Sequence, residues 1–165
     1  RAVAVESVEA AVRGADVINV ATAGAVSPEI QDEWLKEGVL LTLPASAALS
    51  LNTMKSARIV VDNWKMYEAY AQELRGLPGG YAANLSGICG YLMDLVEGGE
   101  IPQQDIVNLG DVIAGKQEGR RDDQERVIFI MDGMPIEDLA WGYTVYENAK
   151  EMGLGTKLNL WEKTR

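Results

Sequence analysis

Four short apolar runs decide what this chain can fold into: DVINVAT at 16–22, VLLTLP at 39–44, ARIVVDN at 57–63 and ERVIFIM at 125–131. Each is bounded by turn residues and is apolar almost throughout, the pattern of a strand buried on both faces. Helical patterns lie between them. SVEAAVRGAD predicts a short helix, with Ser7 as N-cap, Val8, Ala11 and Val12 as its apolar stripe and Gly14 as its stop. SPEIQDEWLKEG predicts a second helix, opened by Pro28 and closed at Gly38. NWKMYEAYAQEL, ICGYLMDLVEGG and QDIVNLGDVIAGK predict three more, and the glycine-rich RGLPGGYAANLSG a loop, or a turn followed by a helix start. From Pro135 onward Ile136, Leu139, Ala140, Tyr143, Tyr146 and Met152 recur near a 3.6 period, a long helix ended by Gly153 or Gly155. The opening RAVAV reads as part of a strand. Strands alternating with helices in this way indicate an α/β domain built on a parallel sheet.

Composition narrows the function classes. The chain has 165 residues, 15 basic against 25 acidic, for a net charge of −10. That balance repels a phosphate backbone, and the one base-rich stretch, KQEGRRDDQER at 116–126, is interrupted by acids and reads as a solvated loop. No apolar run approaches the roughly 18 residues of a membrane span. Nucleic-acid and membrane partners are therefore not expected, and a cytoplasmic location is. There is no histidine, so His-based triads and His metal ligands are excluded within the chain. Cys89 stands alone, which excludes an internal disulfide and a Cys-rich zinc site; its apolar setting predicts a buried small hydrophobe, and no metal is expected.

In parallel α/β sheets ligands bind beyond the carboxyl ends of the strands. Here those ends are ATAG at 21–24, LPAS at 43–46, VDNW at 61–64 and MDG at 131–133. Small residues there let a flat ring or a phosphate approach the backbone, and Thr22, Ser46 and Asp132 add polar contacts. No G-x-G-x-x-G follows a strand, since the GLG at 153–155 ends a helix, and there is no P-loop. The expectation is a Rossmann-like parallel sheet flanked by helices and incomplete at its N-terminus, with the first βαβ unit upstream of Arg1.

Several stretches carry a family resemblance. VESVEAAVRGADVINVATAG, EWLKEGVLL, ARIVVDN, DVIAGKQEGRR and VIFIMDGMPIEDLAWGYTVYENAKEMGLG resemble, in order and spacing, the C-terminal half of the ornithine cyclodeaminase/mu-crystallin family. The resemblance implies that residues 1–134 are the C-terminal part of an NAD(P)-binding domain. Residues 135–165 would then form a long helix and tail packing back towards a dimerisation and substrate domain. It implies NAD or NADP as cofactor, an amino-acid or imino-acid substrate, and a homodimer formed through the N-terminal part. An isolated chain lacking that part is expected to be inactive.

Residue by residue, the resemblance places Thr22 and Ala23 at the family's turn beside the dinucleotide. Pro44, Ala45 and Ser46 fall where the family commonly has Gly-Ala-Asp, so serine stands at the position of the cyclodeaminases' acid/base. A serine does not replace a carboxylate as general base near neutral pH without its own activator. At the last turn the family's Ser-x-Gly becomes Met131-Asp132-Gly133. Thr22, Ala23, Pro44, Ala45, Ser46, Met131 and Gly133 are thus the expected cofactor-side residues, with Ser46 and Asp132 as catalytic candidates. The implied activity is an opine-like or amino-acid dehydrogenase or a ketimine reductase rather than a true ornithine cyclodeaminase; the alternative is a non-catalytic NAD(P)- or small-ligand-binding module of the mu-crystallin type. Glu137 and Asp138 read as acids favouring a helix N-terminus, and Trp141, Tyr143 and Tyr146, like Trp64, Tyr67 and Tyr70, as core or interface aromatics.

Overall fold

The computed structural model describes residues 1–22, 26–85 and 87–158. The chain divides into two compact units, 1–132 and 133–165.

In the first unit, a helix α1 (Val8–Val12) leads to β1 (Val17–Asn19), a two-residue β2 (Glu29–Ile30), β3 (Leu40–Leu43) and a two-residue β4 (Ala48–Leu49). Then follow α2 (Leu51–Ser56), β5 (Arg58–Val61), α3 (Trp64–Leu74), α4 (Cys89–Glu97), β6 (Val107–Asn108), α5 (Leu109–Ile113) and β7 (Val127–Ile130). Five strands form one parallel sheet in the order β1-β3-β7-β5-β6, so β7 is inserted between two earlier strands. β2 and β4 pair separately, also in parallel.

Register explains the core. Ile18, Leu41, Ile128 and Ile59 lie in one row across the sheet, and Leu43, Ile130 and Val61 in another. All seven are buried, in one cluster with Met54 of α2, Tyr67 of α3 and Leu92 and Met93 of α4. Val60, Val107 and Val127 face the other way and meet Leu109 and Val112 of α5. Helices therefore cover both faces, unequally. β1 departs from the expected strand buried on both sides, because Val17 and Asn19 are exposed and only Ile18 is buried.

Four local expectations are corrected. Residues 1–5 form no strand. In α1 only Val12 is buried, so Val8 and Ala11 make no core stripe. Residues 27–38 are not one helix: Glu29–Ile30 pair with Ala48–Leu49, and only Asp32–Trp34 make a single 3-10 turn. Pairing buries Ile30 and Leu49 together, and this tertiary contact outweighs helical periodicity. Residues 104–116 divide likewise. The β-branched Val107 joins the sheet edge beside Val60, which leaves a five-residue helix behind it. The charged loop after α5 is anchored by side-chain bonds, Arg121 pairing with Glu125 and Arg120 donating to the Glu125 carbonyl at 2.6 Å.

α4 is held by a close approach. A Cβ on Gly90 would stand 2.6 Å from the Tyr81 carbonyl oxygen and 2.8 Å from Ala82 Cα, while Asp94 one turn on accepts the Tyr81 and Ala82 amides at 2.7 and 2.9 Å. Gly90→Ala is expected to lower unfolding free energy by roughly 1–3 kcal/mol, as overpacking does, read as a lower midpoint in urea denaturation.

The second unit is dominated by α6 (Pro135–Glu151). Pro135 sits in the first turn, Glu137 and Asp138 place acid at the N-terminus and Lys150 places base in the last turn. Gly153, at φ +66, follows its end. The helix has the predicted span but buries none of its residues, and Ile136, Leu139, Trp141, Tyr143 and Tyr146 are all exposed. Among the described residues, no helix is long and apolar enough to cross a membrane.

Candidate functional site

Because the five strands are parallel, their carboxyl ends share one edge. Backbone bonds stitch that edge together. Ala45 N–H donates to the Val20 carbonyl at 3.0 Å, and Met131 N–H donates to the Leu43 carbonyl at 3.4 Å. Pro44, which has no N–H to give, ends β3. Asp62, following β5 and only 5% exposed, accepts the Asn63 amide at Oδ1 and the Asp132 amide at Oδ2, both at 2.9 Å. It thereby ties the turn after β5 to the turn after β7.

Above this edge lies a cleft of about 360 Å³, in the range of small-molecule sites. Thr22, Pro44, Ala45, Ser46, Met131 and Asp132 all line it. Six of the eight residues singled out from the sequence are thus brought together. Ala23 lies outside the described residues. Gly133 does not line this cleft; it opens the second unit with φ +87, and a Cβ there would meet nothing within 4 Å.

Residues not anticipated complete the wall: Val26 and Ser27, and Gly87, Ile88 and Cys89 at the entry to α4. Gly87 holds φ +83, which strains any other residue, and a Cβ built on it would stand 4.0 Å from Ser46 Oγ and 3.9 Å from Cys89 Sγ. These are ordinary van der Waals distances, so the positive φ rather than crowding is what calls for glycine at this point of the wall. The glycine pair flanking Ile88-Cys89 was the signal available in the sequence, but nothing there indicated which strand end it would meet.

The polar groups form one cluster. Cys89 is buried, and its Sγ donates to Asp132 Oδ1 at 3.5 Å. Burial, with the Asp132 carboxylate beside it, pushes the Cys89 thiol up to about 12. The residue is a buried small side chain, as its setting predicted, but it also touches the cleft's carboxylate. Hydrogen bonding to Asp132 likewise raises the Tyr70 phenol, and burial raises that of Tyr67, which stacks on Trp64 with centroids 5.5 Å apart. A thiol this far from ionisation has almost no thiolate. Cys89 in the folded protein is therefore expected to react with a maleimide or disulfide reagent at about pH 8 at least 100-fold more slowly than after unfolding, as measured by thiol titration with and without denaturant.

Fold and cleft together define a class: a Rossmann-like parallel sheet, covered by helices, with an open site beyond the carboxyl ends of its strands, where such folds take dinucleotides. The chain belongs to the ornithine cyclodeaminase/mu-crystallin family, whose profile matches residues 1–153. Among its relatives, the alanine dehydrogenase of Archaeoglobus fulgidus is 30% identical over 145 residues, covering 84% of this chain and 39% of that protein. Thermococcus litoralis Δ1-pyrroline-2-carboxylate reductase, solved in complex with NADH and L-proline, superposes with a TM-score of 0.66 at 25% identity, covering 93% of this chain and 44% of that one. An archaeal alanine dehydrogenase dimer with bound NAD superposes at 0.63 and 27% identity, covering 96% of this chain and 45% of its own. The chain thus spans less than half the length of these relatives.

Proposed function

We propose that the protein carrying this chain is an NAD(P)-dependent oxidoreductase acting on an amino or imino acid, and that the cleft is this chain's share of its cofactor site. The observation that carries this reading is the convergence of 22, 44–46 and 131–132 on one cleft at the carboxyl edge of a parallel sheet. Support comes from relatives named as an alanine dehydrogenase and a pyrroline-carboxylate reductase, and from solved neighbours holding NADH and NAD. The cleft and the hydroxyls of Thr22, Ser27 and Ser46 that line it suit a flat ring bearing an amide.

Such a cofactor supplies hydride chemistry when bound. The chain's own residues supply the rest. Pro44, Ala45 and Met131 form the apolar wall, and Thr22 and Ser46 offer hydrogen bonds. Asp132 is the carboxylate available to hold or move a proton, with Ser46 as the second candidate. With Ser46 at the cyclodeaminases' acid/base position, the favoured reaction is an amino-acid or opine-like dehydrogenation, or a ketimine reduction, rather than ornithine cyclisation. In the same reading residues 1–134 belong to the cofactor domain. The exposed apolar side chains of α6 pack against the substrate and dimerisation part of a homodimer.

Calorimetric titration of the complete gene product with NADH and NADPH tests the reading. Micromolar binding of at least one is expected, and binding of neither would sink it. The serine at position 46 also favours a second reading, a non-catalytic ligand-binding module. Turnover with alanine, ornithine, a keto acid plus amine, or a cyclic imine rules that reading out.

A further inference from the structure

The cleft wall is electrically one-sided. Asp132 is the only ionisable carboxylate among the described residues lining it, its residue is exposed, and neither lysine nor arginine joins it there. The Cys89 thiol donates to the Asp132 carboxylate at 3.5 Å and is held in its protonated form by burial. A neutral donor orients the carboxylate without cancelling its charge. Directly behind, the Asp132 amide is bound by a second carboxylate, Asp62, at 2.9 Å.

This charge matters because of the ligand class proposed above, on which the inference rests. An oxidised nicotinamide ring carries a positive charge and a reduced one is neutral, while the pyrophosphate and adenosine are the same in both. Contacts to those shared groups cancel when the two forms are compared, so the difference in their affinities reports the surroundings of the ring, where the two forms differ most in charge. A carboxylate charge beside the ring favours the cationic form.

We propose that the Asp132 carboxylate makes this cleft select the oxidised, cationic nicotinamide over the reduced, neutral one. By linkage, a bound couple that holds the oxidised form more tightly is the stronger hydride donor. The residue therefore tilts the internal equilibrium towards reduction of the substrate.

The test uses the complete gene product and reads binding, not turnover. Dissociation constants for the oxidised and reduced dinucleotide are measured by calorimetry for the wild type, Asp132→Asn, Asp132→Ser and Asp132→Glu. Both neutral variants are expected to lose about tenfold in affinity for the oxidised form, equivalent to about 1.4 kcal/mol, with the reduced form changed less than about threefold. Asp132→Glu is expected to keep the wild-type ratio. An unchanged ratio in the neutral variants, or equal weakening of both forms, would overturn the proposal while leaving the cofactor reading standing. A wild-type protein that binds neither form would overturn both.

Discussion

Ile128→Ala is expected to remove roughly 2–5 kcal/mol of unfolding free energy, the cost of a large-to-small change that leaves a cavity. Ile128 is fully buried on β7, with Leu41 and Ile59 as its neighbours in register on either side. Both flanking strands are hydrogen-bonded to β7, so the backbone there has little freedom to collapse into the space. Against a typical total of about 5–15 kcal/mol, the loss would leave a marginal domain. Val60→Ala offers the contrast. Val60 is buried in the smaller cluster on the opposite face and loses two carbons rather than three, so about 1–2.5 kcal/mol is expected. Urea denaturation separates the two by their midpoints, with unchanged slopes showing that both still unfold as one unit.

Asp62→Ala is expected to be comparably severe for a different reason. It strands the Asn63 and Asp132 amides, each of which loses its acceptor at 2.9 Å. Leaving a buried donor unsatisfied costs about 1–3 kcal/mol; Asn63 and Asp132 are both exposed, so water replaces part of the lost acceptor and a total of roughly 2–3 kcal/mol is an upper range. Asp62→Asn keeps a single acceptor oxygen and is expected to fall between wild type and Asp62→Ala. The stability loss should come with weaker dinucleotide binding, because the same bond fixes the turn that carries Asp132. Full-strength binding by folded Asp62→Ala would show that the clamp serves stability alone.

Much of this architecture was legible because the physics is local. VLLTLP, ARIVVDN and ERVIFIM contain β3, β5 and β7 since short, mainly apolar runs between turn residues have few other uses. The cleft's 22, 44–46 and 131–132 were legible for a related reason: once strands are parallel, their carboxyl ends must share an edge. What could not be read depends on distant partners. Ile30 has helical spacing with its neighbours, and only Leu49 makes it a strand residue. Val107 needed Val60 beside it. Gly87, Ile88 and Cys89 reach the cleft through the path of a loop, which a single sequence does not encode in its periodicity. The aromatics of α3 and α6 show the same limit, since the pattern suits a buried stripe in both. Tyr67 is fully buried, whereas Tyr143 is 65% exposed.

The position of β7 also bears on how the molecule is made. Its two neighbours are synthesised long before it, and until it arrives they have nothing to join them. A ribosome that has not yet released the last strand carries two half-sheets, β1 with β3 and β5 with β6, each offering an unpaired edge and an unfilled apolar row. The row containing Leu41 and Ile59 closes only when Ile128 slides between them. Folding of this unit is therefore governed by contacts far apart in the chain and is expected to be slow for its size.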